Sequence, residues 1–349
     1  MMCRVMRLGA AFAVSLAVMT CAQAQTSVED FYKGKTIDLI IGYSPGGSYD
    51  LYARLVARFL GDYIPGKPRV VARNMPGAGS RAAASWIYNV GPKDGTVIGT
   101  GDQSLAVEQA MGDKGITIDV SKFQYIGNPA VDNNTTTAWH TSGIKTIDDA
   151  KTRDVPTGAT GGSTSSQYPK AMNALLGTRF KIITGYPGGN EINLAMEKGE
   201  VAVRGSNAWG AWKATRADWL RDKKINILVQ IGLQKAPDLP DVPLMMDLAT
   251  NDADRAVMKL LSASVEIGRP LFVAPGVPAE RVKALRHAFN TMVKDPVFIE
   301  TAKREGFDIN PSTGEQMQKV VLDIIGTPKP ITDRLQQIIG GIEQNTGPR

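Results

Sequence analysis

The sequence predicts an α/β fold of two lobes, each an open, mostly parallel sheet flanked by helices, with a cleft between them. Three observations lead to it. The chain has 349 residues, more than one hydrophobic core usually takes, so two domains are expected. Short apolar runs alternate with amphipathic stretches at helical spacing, the pattern of a largely parallel sheet. A polar tract near residue 130 breaks this alternation, which then restarts. Composition agrees: at 43% hydrophobic and 21% charged, the chain has the balance of a folded globular protein. Its 20 prolines and 36 glycines are spread along the chain, marking turns and no low-complexity tract.

The first unit is strand, glycine turn, helix. Ile37 to Ile41 is an apolar run followed by Gly42-Tyr43-Ser44-Pro45-Gly46-Gly47, and Ser48 is the expected N-cap. Leu51, Leu55, Val56, Phe59 and Leu60 then recur at helical spacing. Arg69 to Arg73 reads as a second strand, entering the turn Asn74-Met75-Pro76-Gly77-Ala78-Gly79 ahead of a small-residue helix. Asp94-Gly95 is a turn and Thr96 to Thr100 a third strand. Val131 to Trp139 is polar and β-prone and reads as a crossing between lobes. Beyond it, a strand ends at Pro156 to Gly158. Gly161-Gly162-Ser163-Thr164-Ser165 opens a helix that Gly177 closes. Phe180 to Thr184 is a strand, Gly185-Tyr186-Pro187-Gly188-Gly189 a turn, and Asn190 to Lys198 a helix. Val201 to Arg204 and Ile225 to Ile231 are further strands. Pro237 to Pro243 is a proline-punctuated connection. Leu271 to Ala274 is a strand that leads through Pro275-Gly276-Val277-Pro278 into a helix from Ala279 to Met292. Two helical segments close the chain, and no repeat at solenoid spacing is present.

The first 24 residues read as an export signal. Arg4 and Arg7 form a basic n-region, and Leu8 to Met19 is an apolar stretch too short to span a bilayer. Ala22-Gln23-Ala24 is a small-x-small cleavage site, which makes Gln25 the expected mature N-terminus. Lipid attachment at Cys21 is disfavoured, because Thr20 stands where a small Gly or Ala is usual. Cys3 and Cys21 both lie in this segment, so the mature chain has no disulfide, thiolate nucleophile or cysteine metal site. His140 and His287 are isolated in sequence and read as surface or core residues. Removing the segment takes away two arginines and no acid, so the formal net charge falls from +6 to +4. Acids and bases interleave without a basic run, which argues against nucleic acid as a partner.

Few residues of the sequence form a pattern that carries chemistry. Gly77-x-Gly79-x-x-Ala82 matches a dinucleotide fingerprint in form. Pro76 alters the turn, however, and no acid stands at the ribose position about 20 residues on. The turn reads instead as one that lets a helix pack close to a sheet. Gly-x-Ser-x-Gly and His-Glu-x-x-His are both absent, and no acid pair stands out among 34 acidic residues. No cofactor and no metal are expected. What remains is a set of glycine and serine turns that each open a helix after a strand: Ser44–Tyr49, Met75–Ser80, Gly158–Ser166 and Gly185–Asn190. Such loops gather at the carboxyl ends of the strands, where ligands bind. Helix N-termini there present free N–H groups and a positive dipole end, which suit carboxylates.

The turns carry a family resemblance. Phe31-Tyr32-x-Gly34-Lys35-x-Ile37-x-Leu39-Ile40, then Tyr43-Ser44-Pro45-Gly46-Gly47-x-x-Asp50-x-x-Ala53-Arg54, resembles the opening of the tripartite tricarboxylate transporter receptors, the Bug or TctC-like proteins. Asn74-Met75-Pro76-Gly77-Ala78-Gly79-Ser80 and Pro92-Lys93-Asp94-Gly95-Thr96 are similar to their next signatures. Ala236 to Pro243 and Ala274 to Pro278 are similar to their C-terminal landmarks. The motifs keep the family's order from about Phe31 to Val321. The resemblance implies the two-lobed type II periplasmic binding protein fold, closing on an organic carboxylate without chemistry. It implies delivery of the ligand to a two-subunit integral membrane transporter driven by an ion gradient. It also places the ligand carboxylate against Ser44 to Tyr49 (Ser44, Gly46, Gly47, Ser48 and Tyr49) and against Thr160 to Ser165 (Thr160, Gly162, Ser163, Thr164 and Ser165), with Gly79 beside them.

This chain departs from the family pattern in three places. Tyr43-Ser44 and Ser48-Tyr49 flank Pro45-Gly46-Gly47 where proline or small residues are common. Asp102 stands where the usual residue is small and neutral, which disfavours a second ligand carboxylate there. Arg204-Gly205-Ser206-x-x-Trp209 replaces a more apolar or acidic segment. These differences bear against the usual dicarboxylates and tricarboxylates. Tyr43, Tyr49, Tyr186 and Trp209 are candidates to line the cleft, which suggests an aromatic or apolar ligand body. Arg204, at the end of its strand, is the candidate for a direct ion pair with the ligand; a structural pair with an acid such as Glu200 or Asp50, or a solvated strand end, is the alternative. The mature chain is expected to be a periplasmic monomer, with residues 25–129 and 233–349 forming one lobe and 130–232 the other. A secreted α/β enzyme acting on a small organic acid, and a ligand-sensing domain for a membrane signalling partner, remain open as alternatives.

Overall fold

The computed structural model describes residues 27–340. The expected export signal, its cleavage site and Cys21 lie outside the described residues. The strands, in chain order, are β1 (Thr36–Ile41), β2 (Arg69–Asn74), β3 (Val97–Thr100), β4 (Gln124–Asn128), β5 (Asn134–Trp139), β6 (Val155–Gly158), β7 (Phe180–Ile183), β8 (Val203–Ala208), β9 (Ile225–Ile231), β10 (Leu271–Val273) and β11 (Ser312–Thr313). They form two sheets, a six-stranded one in the order β11-β4-β10-β3-β1-β2 and a five-stranded one in the order β7-β6-β8-β5-β9. The chain passes from the first sheet to the second between β4 and β5 and returns after β9.

Both sheets are mixed, where mostly parallel ones were expected. In the first, β1 pairs in parallel with β2 and β3, whereas β10 runs antiparallel to β3 and β4. In the second, β6 is parallel to β7 and β8, and β5 is antiparallel to both β8 and β9. The parallel pairs are joined by helices, as a crossover requires. β5 and β10 are the strands that enter or re-enter a sheet after the chain changes lobe, and the short β11 is also antiparallel to β4.

The polar tract near residue 130 corrects the sequence reading most clearly. Asn134 to Trp139 is no loose crossing but a strand between β8 and β9, with Thr135, Thr136 and Thr137 fully buried. Burying a hydroxyl is tolerable when it is hydrogen-bonded. Thr135 Oγ1 donates to the Asn207 carbonyl at 3.0 Å, and Thr136 Oγ1 donates to the Gly205 carbonyl at 2.9 Å. The register with β8 supplies those acceptors, and local composition does not reveal it.

Apolar packing explains the placement of the lobes. One buried cluster lies on the helix Ser48–Tyr63, β1, β10 and the helix Ala279–Met292, including Leu39, Leu55, Leu60, Leu285 and Phe289. A smaller one lies on the far face of the second sheet, around Trp212, Trp219, Ile192 and Met196. The third joins both units: Ile87, Val107 and Phe272 from the first share it with Tyr168, Met172 and Val203 from the second. The two sheets therefore hold a common flank while their strand ends face one another across a cleft.

Candidate ligand-binding site

The cleft holds a cavity at the ends of the strands of both sheets. From the first unit it is lined by Tyr43, Gly47, Ser48 and Tyr49, then by Asp102 and Gln103 after β3, and by Gly268 and Arg269 before β10. From the second it is lined by Asn134, by Thr160, Ser163, Thr164 and Ser165, by Gly189 and Ile192, and by Arg204, Ser206, Asn207 and Ala208 on β8. Of the sequence candidates, Tyr43, Gly47, Ser48, Tyr49, Thr160, Ser163, Thr164, Ser165 and Arg204 come together here.

Ser44, Gly46, Gly79 and Gly162 do not line the cavity. They hold the two units against one another. Ser44 Oγ donates to Glu191 Oε2 at 2.9 Å, and its amide donates to the Pro187 carbonyl at 3.2 Å. A Cβ on Gly79 would lie 2.5 Å from the Gly162 carbonyl oxygen, and one on Gly46 would lie 2.3 Å from Asn190 Nδ2. Glycine there is a condition for close approach of the lobes. Tyr186 and Trp209 also lie away from the cavity, packed against the outer apolar cluster of the second sheet. Trp209 Nε1 donates to Asp238 Oδ2 at 3.1 Å.

Asp50 is structural. Its carboxylate accepts the Gly46 amide at 2.8 Å, Arg54 Nε at 2.9 Å and Asn74 Nδ2 at 2.7 Å. Burial pushes its pKa up, but these bonds outweigh burial and hold it below the ordinary value. Ser48 is the first residue of its helix and not the cap, a position that falls to Gly47. Its hydroxyl accepts Arg269 Nε at 2.9 Å instead. Ser163 does cap its helix, with Ser166 completing a capping box. Its Oγ lies 2.8 Å from Thr160 Oγ1 and 2.7 Å from Ser165 Oγ, a cluster of hydroxyls on the cavity wall. Tyr43 and Tyr49 stand face to tilted face, ring centroids 4.9 Å apart.

Arg204 is the electrostatic centre of the second unit. It is the second residue of β8 and not its last, because the ladder with β5 carries the strand on through Gly205-Ser206-Asn207-Ala208. It is 8% exposed. Its Nη1 donates to Asn193 Oδ1 and its Nη2 to Asn207 Oδ1, both at 2.8 Å, and its Nε donates to the Ser206 carbonyl at 3.2 Å. All these partners are neutral, and among the described residues it forms no ion pair. Asp50 pairs with Arg54, and Glu200 is exposed. Burial, with Arg216 as a like charge, lowers the Arg204 pKa. Gly189, which opens the helix Gly189–Glu197, packs so close that a Cβ would meet Arg204 Nη2 at 2.2 Å. A guanidinium and the positive end of a helix thus share one spot, with Glu191 of the helix's first turn near Arg204 but not in ion-pair contact with it, an arrangement that leaves room for an anion.

Sequence reasoning missed Arg269 and Asn207. Arg269 is 3% exposed; its Nη1 pairs with Asp132 at 2.9 Å and its plane stacks on Tyr52, 4.1 Å from the ring centroid. Its Nη2 is buried without a hydrogen-bond partner, as is Asn207 Nδ2. Buried donors of this kind are rare and call for an occupant. The only signal for Arg269 was a Gly268-Arg269-Pro270 step ahead of an apolar strand. Asn207 lay within the atypical segment already singled out around Arg204. Asp102 and Gln103 follow β3 and Gly101 and lead into the helix Leu105–Ala110, a turn that was not among the glycine and serine turns read from the sequence.

No protein-family model matches the chain. The curated relative described as "UPF0065 protein in gbd 5'region", from Cupriavidus necator, is 26% identical over 335 residues, 93% of each chain. Among solved structures, the periplasmic binding protein BugD superposes with a TM-score of 0.68 at 18% identity, covering 88% of this chain and 99% of BugD. MatC from Rhodopseudomonas palustris, solved with bound malate, gives 0.67 at 18% identity, covering 88% of this chain and 99% of MatC. The chain has the fold of the Bug-type periplasmic binding proteins. The resemblance read from the motifs is borne out by these Bug-type neighbours, and so is the two-lobed architecture. Among the described residues no group of His, Cys, Asp and Glu could hold a metal ion, and no helix is long and apolar enough to cross a membrane.

Proposed function

We propose that the protein is a periplasmic receptor of the Bug and TctC-like family. It captures a small organic carboxylate between its lobes, performs no chemistry on it, and delivers it to a two-subunit membrane transporter of the tripartite tricarboxylate type. The observation that carries this reading is Arg204, a buried guanidinium on the cavity wall with only neutral partners. Arg269 and Asn207, one from each lobe, line the same cavity, and each holds a buried donor without a partner. Charge-assisted bonds to both lobes are what a closing receptor needs, because they are complete only when the cleft is shut. The Tyr43–Tyr49 pair and Ile192 offer the apolar wall for the ligand's body. That MatC was solved with malate supports a carboxylate as the ligand class.

The same reading takes residues 25–129 and 233–349 as one lobe and 130–232 as the other, in a monomer exported after cleavage behind Ala24. A thermal-shift panel of organic acids beside their neutral amides and alcohols tests the ligand class. The acids are expected to raise the melting temperature and the neutral analogues to leave it unchanged; equal stabilisation by both removes the anion site. Solution scattering should show compaction on addition of a stabilising acid.

A further inference from the structure

The cavity carries opposite charges on its walls. Asp102 is 4% exposed and lines the same cavity as Arg204 and Arg269. Its Oδ2 accepts the Tyr43 hydroxyl at 2.6 Å. Its Oδ1 accepts the Ser104 amide at 2.9 Å and, across the cleft, the Thr164 amide at 3.3 Å. Among the described residues no cation pairs with it. A carboxylate offers about four acceptor positions, and three are used. Thr164 is the first residue of the helix Thr164–Leu176, so the protein's own carboxylate already occupies a helix N-terminus at the cleft. An anion arriving there meets a like charge; a donor arriving there meets a buried acceptor with capacity to spare.

We propose that Asp102 selects a ligand with one carboxylate at its Arg204 and Arg269 end and an ammonium, or a comparably strong hydrogen-bond donor, at the other. Such a molecule satisfies both walls, whereas a dicarboxylate of the same length satisfies one and is repelled by the other. The inference rests on the carboxylate reading above and adds the chemistry of the ligand's second end.

The test is calorimetric, with matched probes of three to six carbons: the ω-amino acid, the plain monocarboxylic acid and the dicarboxylic acid of each length. At the best length the amino acid should bind at least tenfold tighter than the monoacid, and the diacid weakest of the three. Asp102→Asn should bring the amino acid to the level of the monoacid and strengthen the diacid tenfold or more. A wild-type protein that binds the diacid as tightly as the amino acid overturns the proposal, and that ranking decides the matter even where Asp102→Asn fails to fold. An unchanged ranking in a folded Asp102→Asn variant overturns it equally. If no acid binds, either among these probes or in the thermal-shift panel of organic acids, the carboxylate reading itself fails, a result distinct from acids binding in the wrong order.

Discussion

Arg204 orients Asn207. Its Nη2 donates to Asn207 Oδ1 at 2.8 Å, which fixes the oxygen side of that amide and leaves Nδ2 as a buried donor without a partner. One residue thus presents its own charge to the cavity and also aims a neighbour. Asn207→Asp should reverse the effect. The new carboxylate would pair with Arg204 and neutralise the anion site, so carboxylate binding is expected to fall at least a hundredfold while thermal stability holds or rises. Calorimetry together with melting curves checks both halves.

Arg204 itself should be costly to truncate. Arg204→Ala is expected to cost roughly 2–5 kcal/mol of binding, as for one partner of a desolvated charge pair. Arg204→Lys should recover only part, because a single ammonium cannot hold Asn193, Asn207 and a ligand carboxylate with one planar fork. A folded Arg204→Ala variant with unchanged affinity removes Arg204 from the site.

Ser44 separates closure from contact. It bonds Glu191 across the cleft and does not line the cavity. Ser44→Ala should therefore weaken binding by about tenfold or less, the worth of one hydrogen bond of about 1 kcal/mol. The loss should lie in faster dissociation, since the bond joins the two units across the cleft and would have to break on opening. Stopped-flow kinetics distinguishes this from a lost ligand contact.

Glu108 sets a pH dependence. It accepts Ser104 Oγ and Gln167 Nε2, and pairs with Arg81 at 2.8 Å. Burial pushes its pKa from 4.5 up to about 7, against the pull of Arg81. Between those values the folded protein holds a proton that the unfolded chain has released. This group's contribution to stability is therefore full below about 4.5 and is lost as pH rises through about 7. Glu108→Gln should remove a slope worth roughly 1–3 kcal/mol across that range. Urea unfolding at acidic and mildly alkaline pH, on both proteins, measures it.

Trp209 supplies the negative control. It packs on the outer face of the second sheet, bonded to Asp238 and lying under Lys213. Trp209→Phe should leave ligand affinity within twofold of wild type while lowering thermal stability modestly. A large loss of affinity would return Trp209 to the cleft.

The sequence by itself determined the alternation of elements and the loops that face the cleft. Strand β1, the helix Ala279–Met292 and the serine cap at Ser163 all follow from local rules of periodicity and capping. Those rules act over a few residues, so they are visible in a few residues. Only the tertiary structure decided which loop residues line the cavity and which clamp the lobes. Ser44 and Ser48 lie four positions apart, one in the loop and one at the start of the helix; Ser44 reaches Glu191, and Ser48 receives Arg269 from 221 residues away. Asn134 to Trp139 became a buried strand in which β8 offers carbonyls to Thr135 and Thr136. Arg204 moved inward along its strand for the same reason: the ladder that continues past it is made with residues far off in the chain. Pairings of that kind are set by contacts between residues far apart in the chain, about which sequence neighbours carry no information.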